Sequence, residues 1–349
     1  MINILLLALF LFIVFLIIIS IKLDNLSKFI SIYDFPDKKR KLHKKKTPIT
    51  GWIFCLFCLF FLLAISFFDK DNMIFKEEIF VINDQTNIRS YLSFFIGGLT
   101  IFFIGLFDDK KNISANNKII LLIIILYLLI SFDSNLMLKE LYFVTFNKLI
   151  ALENFSMPFT ILCVIFLINS LNLYDGINLQ SAIFLTFVYS VLIIKGIFSE
   201  ILVFFLIANL FFALKNYNGK IFYGDSGIYV NSYIISYFLL KGYNFKDTLT
   251  PELIFIIMFL PSLDMVRLFF ARIFKLQNPF EGDRTHIHHV ISVFFKGHIY
   301  KVNCILFLMT ILPFILYDLL NFDFYISIFT TTIIYFLFVI NFYIYKEIK

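Results

Sequence analysis

The chain has 349 residues, of which 60% are hydrophobic and only 15% charged, with a mean hydropathy of +0.90. Soluble domains carry roughly a quarter charged residues, and disorder needs low hydrophobicity, so a soluble enzyme and a disordered chain are both excluded. The apolar runs do not alternate in polarity as barrel strands do, which leaves an all-α polytopic membrane protein with a net charge of +6.

Taken in chain order, the first apolar run covers residues 2–21. It has no basic residue before it and no small-residue cleavage site after it, so it reads as a retained span rather than a signal peptide. A basic loop follows over 22–49, and the second span over 50–68 contains Cys55 and Cys58. Two cysteines one helical turn apart in an apolar run read as small core side chains, with neither a disulfide nor zinc expected. Spans follow at 90–107 and 118–132, then a half-apolar stretch at 136–157 that suits a hairpin or an interfacial segment. Next come 158–174, 178–195 and 198–214, the last two joined so tightly that they must be antiparallel neighbours. Spans at 226–241 and 251–272 precede a second loop at 273–301, and 302–320 and 324–345 complete the chain. Pro261 lies inside the ninth span and should kink it, opening a groove toward lipid.

This gives about 11 spans in a single domain, 1–349. Of the 30 Lys and Arg, 22 fall in the odd connections and the C-terminal tail, and 8 in the even ones. The positive-inside rule then places the N-terminus outside and the C-terminus in the cytoplasm. Five polar clusters share the cytoplasmic side in this topology. They are the loop from Asp34 to Gly51, Gly105 to Asp109, Asn169 to Gly176, Tyr223 to Gly227, and Pro261 through His289.

Each cluster suggests a chemistry. Adjacent Asp108 and Asp109 can hold a cation or act as base. Asn169, Asn172 and Asp175 recur every three residues and share one helix side, which is costly in an apolar span unless they line a site, with interhelical hydrogen bonding the alternative for the two asparagines. Asp225 sits between Gly224 and Gly227 at the start of a helix, where backbone N–H groups suit phosphate and the acid suits Mg²⁺. His286, His288 and His289, beside Arg284 and Lys275, suit phosphate better than a transition metal. The basic residues of the first loop are explained mainly by topology, with Arg40, Lys41 and His43 as candidates for substrate contact; nucleic acid is not expected, because the basic stretch abuts membrane spans.

Together these residues resemble the polyprenyl-phosphate N-acetylhexosamine-1-phosphate transferases, of which the phospho-N-acetylmuramoyl-pentapeptide transferases are more distant relatives. The resemblance runs from about Asp34 to Ile291, in order and spacing. Its motifs are G-x-x-D-D at Gly105, Asp108 and Asp109, N-x-x-N-x-x-D-G from Asn169 to Gly176, G-D-x-G at Gly224, Asp225 and Gly227, and P-F-x-x-D-R-x-H-I-H-H from Pro279 to His289. Where the family often has D-G-x-D-G, this chain has Asn178 and Leu179; the second glycine of P-x-x-G-G is Trp52. The resemblance implies transfer of an N-acetylhexosamine 1-phosphate, most simply GlcNAc 1-phosphate, from a UDP-sugar to undecaprenyl phosphate in a bacterial inner membrane, with UMP released. It also implies Mg²⁺, with Mn²⁺ as an alternative, and allows a homodimer.

By the same resemblance, Asp225 and Asp175 would hold the metal, and Asp108, Asp109 and Asp175 would be catalytic. Asn169, Asn172, Lys118, Asp264, Arg284, His286, His288 and His289 would contact substrate. The rival class is a transporter or flippase for a nucleotide sugar or polyprenyl lipid. It predicts mid-membrane charge and inverted repeats, and neither is visible in the sequence.

Overall fold

The computed structural model describes residues 2–36, 45–68, 85–245, 248–276 and 285–348. Its elements in order are α1 (Ile2–Ile30), β1 (Tyr33–Asp34), β2 (Thr47–Pro48), α2 (Trp52–Ser66), α3 (Gln85–Lys111), α4 (Ala115–Phe132), β3 (Glu140–Phe143) and β4 (Lys148–Ala151). There follow α5 (Ser156–Tyr174), α6 (Gln180–Ile194), α7 (Ser199–Asn216), α8 (Gly224–Phe245), α9 (Pro251–Ile257), α10 (Phe259–Phe274), α11 (Ile287–Phe294), α12 (Ile299–Phe314) and α13 (Phe324–Ile348).

Every expected span coincides with helix. Seven helices are long and apolar enough to cross a membrane among the described residues, or eight if α9 and α10 count as one bent span. Of the rest, α2 and α6 are apolar but only 15 residues long. Helix α8 reaches 22 residues but carries Asn231, Ser232, Ser236 and Lys241, all buried. It can afford them because it is the central helix, buried from Ser226 through Gly242 and packed against α3, α5 and α2 rather than lipid. Outward faces bear exposed apolar side chains such as Phe10, Leu128 and Phe329, as a hydrocarbon solvent requires.

Three differences from the sequence reading have clear causes. Helix α1 runs nine residues past the apolar stretch, because nothing interrupts it before Ser31, whose φ is +58°. The half-apolar stretch is an antiparallel hairpin, β3 with β4, pairing Glu140 with Ala151 and Phe143 with Lys148. The ninth span breaks at Met258, three residues before Pro261, and α9 and α10 meet at 74°. Proline has no N–H to give the carbonyl of Ile257 four residues earlier, so the helix fails there rather than at the proline itself. Cys55 and Cys58 are free, buried thiols on the packed side of α2. The loop at 273–301 contains the short helix α11.

The broken helix borders an apolar groove of 1190 Å³. Leu162 and Leu167 of α5, Leu239 of α8, Phe255, Leu263 and Phe329 are among its walls, and Leu141 and Phe143 of the hairpin flank one end.

Candidate active site

The polar clusters that the sequence scatters over more than two hundred residues form two sets of contacts, linked by the charge of Asp109 acting on Asp175. The first loop is stitched to the turn before α8: Gly51 N–H donates to the Phe222 carbonyl at 2.8 Å, and Phe222 N–H donates to the Pro48 carbonyl at 2.9 Å. That turn delivers Gly224 with φ +70°, where glycine is the natural residue.

Helices α3 and α8 meet backbone to backbone beside it. A Cβ on Gly105 would lie 2.5 Å from the Ser226 Cα and 2.6 Å from its N. The close approach brings both acids of α3 to α8. The carboxylate of Asp109 accepts from Asp225 N–H at 2.8 Å, Ser226 N–H at 3.0 Å and the Ser226 hydroxyl at 2.6 Å. Asp108 is 2% exposed; it accepts from Ile113 N–H at 2.8 Å and pairs with Lys118 of α4. The same ammonium lies 3.3 Å from Asp225, whose side chain is 29% exposed and so presents the open face of the cluster.

Helix α5 ends close enough for the charge of Asp109 to act on Asp175. Asn169 donates to the Ile165 carbonyl of its own helix at 2.9 Å, Asn172 is half-buried one turn on, and Asp175 caps the end. The Ser181 hydroxyl donates to Asp175 at 2.5 Å. Burial, reinforced by the charge of Asp109, nonetheless pushes the Asp175 carboxyl up to about 6.

The imidazole loop closes over the next residue. His288 is 2% exposed and its ring rests on Gly176, where a Cβ would fall 2.1 Å from Cε1. Burial, with the neighbouring His289 and His286, holds its pKa well below the usual imidazole range. His286 stacks on His288 with centroids 5.6 Å apart, and His289 is half-buried beside them.

Asp264 sets the position of this loop. Expected as a substrate contact, the carboxylate is 3% exposed, and the structure gives its oxygens protein partners instead. Asp264 Oδ1 accepts from Arg267 at 2.9 Å, Tyr335 at 2.6 Å and Ile287 N–H at 3.1 Å, while Oδ2 faces His286 Nδ1 at 3.0 Å. A carboxylate so placed in the interior has little capacity left for a ligand. Arg284, like Arg40, Lys41 and His43, lies outside the described residues.

Sequence reasoning missed Ser226, Ser181, Arg267 and Tyr335. Arg267 carried a visible signal, an acid–base pair three residues apart on one helix. Tyr335 is one aromatic among many in α13, and nothing local distinguishes it.

The donor set suits a hard cation. Asp108, Asp109 and Asp225 offer only oxygens, and among the described residues Lys118 is the one ammonium paired with Asp108 and Asp225. Among the described residues no group of three or more His, Cys, Asp or Glu stands close enough to hold a metal by itself. Mg²⁺ does not need one: it commonly takes one or two carboxylates and completes its octahedron with water and phosphate oxygens. Asp225, with its open face, is the residue that fits this role.

The family model of glycosyl transferase family 4 matches residues 91–243, the stretch that contains Asp108, Asp175 and Asp225. A Bacillus subtilis protein named probable undecaprenyl-phosphate N-acetylglucosaminyl 1-phosphate transferase is 26% identical over 211 residues, 58% of this chain and 58% of its own. An Escherichia coli O157:H7 protein named undecaprenyl-phosphate alpha-N-acetylglucosaminyl 1-phosphate transferase is 29% identical over 203 residues, 54% of each chain. A Petrotoga mobilis phospho-N-acetylmuramoyl-pentapeptide-transferase is 32% identical over 193 residues, 53% of this chain and 57% of its own. The chain thus spans a little over half the length of the curated relatives it matches. The motifs of α3, α5 and α8 all lie within the stretch that matches glycosyl transferase family 4, and it is to this family that the membrane core of the chain is similar.

Proposed function

We propose that the protein transfers N-acetylglucosamine 1-phosphate from UDP-N-acetylglucosamine to undecaprenyl phosphate, releasing UMP. The relatives' names and their shared core support this substrate pair. The observation that carries it is the carboxylate–lysine cluster of Asp108, Asp225 and Lys118, held in the same helix bundle as the apolar groove. The apolar walls reach Leu167, two residues before Asn169, and Leu263 and Val266, on either side of Asp264. On this reading the prenyl tail lies in the groove with its phosphate directed along α5 toward Asn169. A bilayer substrate and a water-soluble one could therefore meet there.

The reaction forms one P–O bond, between a lipid-phosphate oxygen and the sugar-bearing phosphorus, and breaks the P–O bond to UMP. It asks the protein for alignment and charge neutralisation rather than covalent work. Asp108 accepts the proton of the lipid phosphate or, if that is already ionised, orients it. Lys118, shared between Asp108 and Asp225, holds the attacking phosphate's charge near the donor. Asp225 holds Mg²⁺, with Mn²⁺ as a substitute. The bound cation supplies neutralisation of the diphosphate. Asn169, Asn172 and Asp175 line the nucleotide side, and the loop of His286, His288 and His289 covers it, with Arg284 contributing a phosphate contact. The charge split of 22 to 8 supports a cytoplasmic site in a bacterial inner membrane, with the N-terminus outside.

The test is UMP release by the purified full chain with undecaprenyl phosphate and a panel of UDP-sugars. Release with UDP-N-acetylglucosamine above the other sugars supports the proposal. Release with none of them, in protein shown to be folded, defeats it.

A further inference from the structure

The adjacent acids of α3 make different contacts, and we infer that Asp109 is a positioning residue that caps α8 and so aims Asp225, leaving the work on substrate to Asp108. Successive residues of a helix point about 100° apart, so a D-D pair addresses two different surroundings. Asp108 turns to Ile113 N–H and Lys118. Asp109 turns to the first turn of α8, where its two oxygens take three donors from Asp225 and Ser226 at 2.6–3.0 Å.

A helix leaves its first N–H groups without internal partners, and they are normally met by a side chain of the residue just before the helix. Here that task passes to a different helix. The preceding turn ends in Tyr223, whose hydroxyl is bonded to Asn209 at 2.8 Å and cannot cap. Gly224 leaves room for the visiting carboxylate, since a Cβ there would lie 2.7 and 2.8 Å from the Asp109 oxygens. The bonds are charge-assisted and lie along the favourable end of the helix dipole. With both oxygens engaged, Asp109 neither takes a proton from substrate nor binds the cation. It fixes the backbone N–H of Asp225, and through it the direction of the Asp225 carboxylate.

The significance for Asp225 rests on the transferase reading above; the capping geometry does not. Asp109→Asn keeps one acceptor oxygen and Asp109→Ala keeps none. Ser226→Ala removes only the hydroxyl donor. The three full-length variants would be compared with wild type in Mn²⁺ binding without substrates, followed by electron paramagnetic resonance, and in the Mg²⁺ dependence of UMP release. For Asp109→Asn the expected result is Mn²⁺ binding weakened about tenfold, a matching rise in half-saturating Mg²⁺, and turnover at saturating Mg²⁺ within about tenfold of wild type. Asp109→Ala should fall further on both readouts. Ser226→Ala should shift Mn²⁺ binding in the same direction by less, and adding it to Asp109→Asn should bring no further loss. Loss of turnover by about a thousandfold in Asp109→Asn with Mn²⁺ binding unchanged would overturn the inference, because Asp109 would then act on the reacting groups. Absence of Mn²⁺ binding in wild type would overturn it as well. Should wild type bind Mn²⁺ yet release no UMP from any sugar, the transferase reading fails alone, and the Mn²⁺ comparison still decides the part played by Asp109.

Discussion

At the scale of single residues, the site separates groups that present a face to ligand from groups that hold others in place. Asp225 and Lys118 belong to the first kind, being partly exposed and mutually paired. Asp225→Ala is expected to lower UMP release by about a thousandfold while the protein still inserts and purifies as a monodisperse species. Near wild-type release by that variant would remove Asp225 from the chemistry. Lys118→Met leaves Asp108 and Asp225 without their shared cation and should cost about a hundredfold in turnover, with Lys118→Arg a poor substitute because a planar fork cannot replace a compact ammonium between two carboxylates. Asp264 belongs to the second kind. The sequence showed an acid near a kink on the same side as the other clusters, and that much was readable. Arg267, three residues on, was a legible partner, but Ile287 and Tyr335 come from α11 and α13, more than twenty and seventy residues away, so the local pattern alone could not tell an aimed carboxylate from a tethered one.

At the scale of elements, glycine and proline carry much of the design. Gly105 allows α3 to touch the backbone of α8, and this contact is the geometric meaning of its place in the G-x-x-D-D motif. Gly105→Ala has to push the helices apart against backbone atoms and is expected to destabilise by about 2–3 kcal/mol and to reduce activity; thermal unfolding in detergent and UMP release measure the two effects. The helices themselves were legible because each apolar run is bounded by charge or by Gly and Pro. The position of the break in the ninth span was not, since a missing N–H acts one turn upstream of the proline that lacks it. The helix α11 also makes stability depend on acid. His288 is held neutral by burial, so its folded pKa lies below the unfolded value of about 6.5. Above that value the group contributes nothing pH-dependent. As pH falls below it, the unfolded chain takes up a proton that the folded chain refuses, and stability declines by up to about 1.4 kcal/mol per pH unit. Unfolding midpoints at pH 7.5 and 5.5 should therefore differ more in wild type than in His288→Asn.

At the scale of the molecule, a dry groove and a charged cluster share one bundle, and they can be perturbed apart. Leu263→Trp fills part of the groove wall and is expected to raise the KM for undecaprenyl phosphate about tenfold, with the KM for the UDP-sugar unchanged; steady-state kinetics in both substrates read the difference. Equal changes in both would mean that the groove does not hold the lipid. The all-helical membrane architecture and the order of its apolar runs followed from hydropathy, and the family resemblance from motifs that keep their order along the chain. Which helix lies at the centre did not follow, because α8 is too polar to look like a membrane helix until its neighbours surround it.

The hydroxyl that Tyr335 gives to Asp264 has a consequence for biosynthesis. The imidazole loop is steadied by α13, which is translated after every acid of the cluster. A nascent protein halted before that helix would have every acid of the cluster in place but Asp264 without the Tyr335 hydroxyl that helps to hold it. Stop codons introduced ahead of Tyr335 should therefore lower UMP release even where all the earlier motifs are intact.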